Sequence, residues 1–135
     1  MNIITKTTCA LLTCTTLALS HGDTVPQKVN TQGLPEVKSE VFQNPFSGNK
    51  KAIEVGADAY NQNCARCHGL DAKSGGIAPD LRLLTDGDDE YFLGLVRGGS
   101  VRNGNVYMPP FTEELMPNSG LWAIYSYLET LPEEE

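Results

Sequence analysis

The sequence predicts an all-α fold whose helices are separated by long loops. Three observations carry this reading. Apolar residues recur at helical spacing in three segments, no stretch of useful length alternates apolar and polar residues, and Gly and Pro gather between the helical segments. With 135 residues and 40% apolar composition, the chain has the size and make-up of one globular domain. A core of this size is only modestly stable by area burial alone, so a large apolar group bound at its centre would add much to the folding free energy.

The first twenty residues read as a leader rather than as part of the fold. Lys6 supplies a positive charge, Cys9 to Leu19 forms a short apolar stretch, and Ala18-Leu19-Ser20 offers small residues for cleavage ahead of His21. An alternative makes Cys14 a lipidated cysteine after Leu11-Leu12-Thr13, although Thr suits that position poorly and the apolar run continues past it. No later segment approaches the roughly 20 apolar residues of a transmembrane helix. The expectation is therefore a soluble, monomeric protein exported to the periplasm. Cleavage removes Cys9 and Cys14, leaving Cys64 and Cys67, and removes Lys6, which takes the formal charge from −7 to −8. Such an acidic protein repels phosphate and is a poor candidate for binding nucleic acid.

Residues 21–49 are rich in Pro, Gly, Gln, Asn and Thr without helical periodicity, and read as an extended arm or as a loose terminus. The domain proper is expected over 50–135. A first helix is predicted from Lys50 to Asn63, where Ile53, Gly56, Ala57 and Tyr60 share a face. Residues 69–87 form a long loop punctuated by Gly69, Gly75, Gly76, Pro79 and Gly87. Asp88 is placed as the cap of a short helix through Arg97, stopped by Gly98-Gly99. The acidic run Asp86, Asp88, Asp89 and Glu90 fits helix capping rather than a Ca²⁺ loop. A further loop runs through Met108-Pro109-Pro110-Phe111, and Thr112 can open one more turn. The last helix is expected from Ser119 to Leu131, capped by Asn118 or Ser119 and ended by Pro132, with Glu133 to Glu135 as a solvated tail. No internal repeat is present.

Cys64-Ala65-Arg66-Cys67-His68 carries the chemistry. Cys-x-x-Cys-His is the signature of c-type haem attachment. On one helical turn both thiols reach the two vinyl groups along one porphyrin edge, and the next residue, His68, is carried beneath the iron as its proximal ligand. Long loops in so small a domain need something to pin them, and one covalently bound haem serves. Three other readings compete. Zinc wants four Cys or His ligands, and the mature chain has two Cys and two His, with His21 remote. A thioredoxin-like pair belongs in a βαβ context, and a Cys64-Cys67 disulfide would close too small a loop to stabilise much.

A sixth ligand must come from elsewhere in the chain: Met108 and Met116 are the thioethers downstream, and bis-histidine ligation would need His21, at the far end of the N-terminal arm. Met108, stiffened by Pro109-Pro110, is favoured as the distal ligand, and Met116 is assigned to packing. His-Met ligation saturates the iron and raises its potential, which suits a carrier better than an oxygen- or peroxide-binding enzyme. The competing possibilities are a haem-based ligand sensor or enzyme with a labile sixth ligand, and a thiol protein without haem. Arg66, Lys73, Arg97 and Arg102 are candidates for pairing with haem propionates, and Trp122 is expected to pack between helices or lie partly exposed.

From Lys50 to Leu131 the chain resembles the class I cytochromes c, with Cys-x-x-Cys-His, Gly76-Ile77-Ala78-Pro79-Asp80-Leu81 and Met108-Pro109-Pro110-Phe111 in the family's order. The resemblance implies that the Pro79 carbonyl accepts a hydrogen bond from the Nδ1-H of His68. It also implies that the first and last helices cross at Gly56 and Tyr60 against Ile124, Tyr127 and Leu128. His21-Gly22-Asp23, Asn44-Pro45-Phe46 and most of Gly56 to Arg82 are similar to the periplasmic cytochromes that serve quinoprotein (PQQ-dependent) alcohol dehydrogenases. This implies such a dehydrogenase as electron donor and a terminal oxidase or another cytochrome as acceptor.

Overall fold

The computed structural model describes residues 25–84 and 87–132. The expected leader, His21, Asp86 and the acidic tail lie outside the described residues. Helix α1 spans Lys50–Asn63, and Asn49 caps it through a side-chain bond to the Ala52 N–H. After a kink at Cys64 comes α2, Ala65–His68. Single 3₁₀ turns at Leu70–Ala72 and Leu81–Leu83 punctuate the long loop. Helix α3 spans Asp89–Gly98, with Asp88 at its N-cap position and Asp89 and Glu90 in its first turn, where negative charge complements the helix dipole.

The expected all-loop connection after α3 is corrected by a two-stranded antiparallel hairpin, β1 Ser100–Arg102 and β2 Asn105–Met108. Its turn is Asn103-Gly104, both with positive φ (50° and 78°). Asn-Gly is the pair that a tight hairpin turn favours, because both central residues must adopt left-handed backbone. The fold is thus mostly helical with one small sheet.

Helix α4 spans Asn118–Leu128, starting one residue earlier and ending three earlier than expected. Asn118 is drawn away from capping because its side-chain oxygen accepts from Arg97. Beyond Leu128 the chain tightens into short turns, Thr130 N–H to Tyr127 O and Leu131 N–H to Leu128 O. Thr112 opens a single turn, its carbonyl accepting from Leu115 and Met116.

The core lies between α1 and α4, with α3 against its side. Tyr60, Leu121, Trp122, Ile124 and Met116 are fully buried there. Trp122 is therefore a packing residue, edge-on to Tyr125. Residues 25–49 form no helix or strand and lie against this core, turned back by hydrogen bonds from Leu34 N–H to Thr31 O, Val41 N–H to Lys38 O and Asn49 N–H to Phe46 O. Val29 is buried and donates its N–H to the Leu115 carbonyl at 2.8 Å, Gln27 N–H reaches Asn63 at 2.7 Å, and Phe46 is buried. Among the described residues no helix is long and apolar enough to cross a membrane.

Candidate haem site

The Cys-x-x-Cys-His segment follows directly on the end of α1, with Cys64 between the two helices at φ −115° and ψ −40°. Cys64 closes α1 by donating its N–H to Tyr60 O, while its own carbonyl receives the N–H groups of Cys67 and His68 at 3.1 and 3.0 Å. That single turn places residues 64 to 68 around one short helix. Gly69 then reverses the chain with φ of 85°, where a β-carbon would stand 1.9 Å from the Lys73 carbonyl oxygen. The Tyr60 hydroxyl donates to the Gly69 carbonyl at 2.7 Å and so ties this turn to α1. Burial first, and then the neighbouring Cys64 and Tyr127, raise the Tyr60 pKa well above the usual phenol.

Cys64 and Cys67 are free thiols, both half-buried. Burial first, and the neighbouring Cys67 second, push the Cys64 thiol up to about 12. A redox-active dithiol needs the opposite, a depressed thiol that yields thiolate near neutral pH.

His68 Nδ1 lies 2.8 Å from the Pro79 carbonyl oxygen. A carbonyl only accepts, so Nδ1 carries the proton and Nε2 is left with the lone pair that a metal requires. This is the contact the resemblance implied. Large apolar side chains beside the motif and its loops are left uncovered: Leu70, Ile77, Leu83 and Tyr107 are 73, 77, 69 and 63% exposed. Two thiols, an imidazole with a free Nε2 and uncovered apolar surface together fit a haem.

The two methionines separate cleanly. Met116 is 1% exposed within the core. Met108 is half-buried at the end of β2, paired with Ser100 across a bulge. Its loop is held against the end of α3, where Gly99 has φ of 68° and a β-carbon would stand 2.5 Å from the Met108 carbonyl oxygen. Phe111 N–H bonds Val96 O at 2.9 Å, and Arg97 donates to the carbonyl of Phe111 and to Asn118. Arg97, expected near a propionate, is thus spent on this strut, where burial lowers its pKa. Arg102 instead stacks over the Tyr107 ring at 5.8 Å.

The structure joins His68 and Pro79 directly, with both cysteines on the same turn, and sets Met108 on the hairpin. Residues that sequence reasoning passes over are Ser74, Asp80 and Arg82, which surround Pro79. Asp80 accepts from Arg82 Nε at 3.0 Å and Nη2 at 2.7 Å, and this pairing holds its carboxyl well below the usual range. A carboxylate two residues from an arginine in a Gly- and Pro-rich loop was the available signal.

A family model described as cytochrome c oxidase, cbb3-type, subunit III matches residues 51–128. Cytochrome c550 of Pseudomonas aeruginosa is 51% identical over 131 residues, which span 92% of this chain and 90% of that one. Two proteins of Pseudomonas putida are similar over shorter stretches. The quinohemoprotein alcohol dehydrogenase ADH-IIG is 42% identical over 83 residues, 62% of this chain, and ADH IIB is 34% identical over 80 residues, 59% of this chain. The chain spans only 11% of either dehydrogenase. No solved structure matches it significantly. The chain belongs to the cytochrome c family and is an electron-transfer protein rather than an enzyme.

Proposed function

We propose that this protein is an exported carrier with a single covalent haem, which takes electrons from a quinoprotein (PQQ-dependent) alcohol dehydrogenase and passes them to a terminal oxidase or another cytochrome. The haem supplies the one-electron redox chemistry when bound. The residues supply the rest. Cys64 and Cys67 would tether it through thioethers, and His68, its ring fixed by Pro79, and Met108 would ligate the iron. The observation that supports the ligand assignment is the 2.8 Å contact from His68 Nδ1 to the Pro79 carbonyl, which leaves the Nε2 lone pair available to a metal. Burial of Met116 in the core leaves Met108 as the available thioether among the described residues.

The donor is supported by the two dehydrogenases. Enzymes named for both quinone and haem contain a stretch similar to more than half of this chain. A free-standing relative of that stretch suits the same electron-accepting role between separate proteins. The predicted leader over residues 1–20 and the similarity to an established cytochrome c550 support export to the periplasm.

The test is to record spectra of the exported protein, oxidised and reduced, and then mix it with a quinoprotein alcohol dehydrogenase and ethanol. A sharp reduced α-band, a weak red band in the oxidised state and substrate-dependent reduction are expected. Absence of covalent haem would refute the carrier, and intact haem left oxidised in the mixture would refute the donor.

A further inference from the structure

We infer that Ser74, backed by Asp80 and Arg82, is the positioning unit that holds the Pro79 carbonyl on His68 and so sets the potential of the iron. This inference rests on His68 being an iron ligand. Pro79 has no N–H of its own, so the direction of its carbonyl depends on its two neighbours. Ser74 holds both. Its hydroxyl donates to the carbonyl of Ala78, and its backbone N–H donates to Asp80 Oδ2 at 3.3 Å. The same hydroxyl oxygen accepts the Gly76 N–H at 3.0 Å. Behind it, Asp80 Oδ1 accepts the Arg82 backbone N–H at 3.0 Å, and both carboxylate oxygens are gripped by the Arg82 guanidinium.

Between Ser74 and Pro79 the loop is open, its anchorage to the core lying on either side at Ala72 and Leu81. Gly75-Gly76 is intrinsically loose, Gly76 has φ of 95°, and Ile77 points away from any packing at 77% exposure. Burial therefore does not position Pro79, and the polar clamp does. Because Arg82 keeps Asp80 ionised far below neutral pH, the clamp stays closed across the working range.

The link to the iron runs through the imidazole. A well-aligned acceptor on Nδ1-H makes His68 a stronger donor, which favours the oxidised ion. Loosening the Pro79 carbonyl weakens that donation and favours the reduced ion. In the holoprotein, Ser74→Ala should shift the reduced-to-oxidised ratio at fixed ambient potential about three-fold towards reduced, roughly 30 mV for one electron. The His68 ring N–H should also exchange faster with deuterated solvent by NMR. Ser74→Thr, which keeps the hydroxyl and the N–H, should restore both values. Asn44→Ala, a loosening variant on the remote arm, should change neither.

An unchanged potential and ring exchange in Ser74→Ala, with haem attached and the wild-type spectrum, would overturn the clamp and leave the proposed ligation standing. An equal shift in Asn44→Ala would overturn it as well, by showing that general loosening suffices. Wild-type protein without covalent haem would overturn both the clamp and the reading beneath it.

Discussion

Gly56 of α1 presses directly on the backbone of Ala123 in α4: a β-carbon at residue 56 would stand 1.9 Å from the Ala123 carbonyl oxygen and 2.4 Å from its carbon. No side chain can swing aside there, because both atoms belong to the helix backbone. Gly56→Ala must separate the helices that form the core. The expected cost is about 3 kcal/mol, at the upper end of ordinary overpacking. Urea unfolding of the holoprotein measures it, and a loss within error of zero would contradict the close crossing.

Asn44 ties the N-terminal arm to two helices. Its side-chain nitrogen donates to Ser126 Oγ at 2.9 Å, and its backbone N–H donates to Asp89 Oδ1 at 2.6 Å. Its own oxygen accepts the Phe46 N–H at 3.0 Å. Asn44→Ala should destabilise the protein by about 1 to 2 kcal/mol. Limited proteolysis should cut residues 25–45 first. Cleavage no faster than in wild type would mean that Val29 and Phe46 hold the arm without it.

The carrier's surface charge makes its encounter rate sensitive to salt. A formal charge of −7 on the full chain, −8 once the expected leader and its Lys6 are removed, would attract basic patches on the proposed donor, and screening acts over about 8 Å at physiological ionic strength. Reduction by the dehydrogenase, followed by stopped flow, should slow as salt is raised. A flat or rising dependence would assign docking to apolar contact instead.

The helices were legible in the sequence because each carries a local signal, and α1 coincides with the expected Lys50 to Asn63. The hairpin was equally legible in Asn103-Gly104, but the glycines before it and the prolines after it read as one continuous loop. The start of α4 escaped because a capping residue, Asn118, is diverted by Arg97 from 21 positions away. The same limit applies at the site. Cys64, Cys67 and His68 announce themselves by spacing, and the resemblance supplies Pro79 and Met108. The Ser74 clamp consists of bonds across a loop, which no periodicity encodes.

Asp80 makes acid stability a test of its pairing with Arg82. The Arg82 side chain, the largest influence, lowers the folded-state pKa of Asp80, opposed by partial burial. A depressed folded value means that the pair's stabilisation is present above the unfolded pKa of about 3.9 and is lost as pH falls towards the folded value. Asp80→Asn should therefore be less stable than wild type at neutral pH, and the gap should narrow below about pH 4. Denaturant titrations of both proteins at several pH values measure it, and a gap constant with pH would refute the ion pair as its source.

Met108 and Met116 make the sharpest contrast, since one is half-buried on the hairpin and the other is 1% exposed in the core. Met108→Ala should open the sixth position of the iron. The reduced protein should then bind carbon monoxide, the red band of the oxidised form should vanish, and the midpoint potential should fall, because a thioether stabilises the reduced ion. Folding should suffer little by comparison. Met116→Ala should leave spectrum and potential in place and remove about 2 to 5 kcal/mol of stability through the cavity it creates. The assignment depends on this separation of effects: spectral change in Met116→Ala with none in Met108→Ala would move the ligand to residue 116 and require the core around it to rearrange.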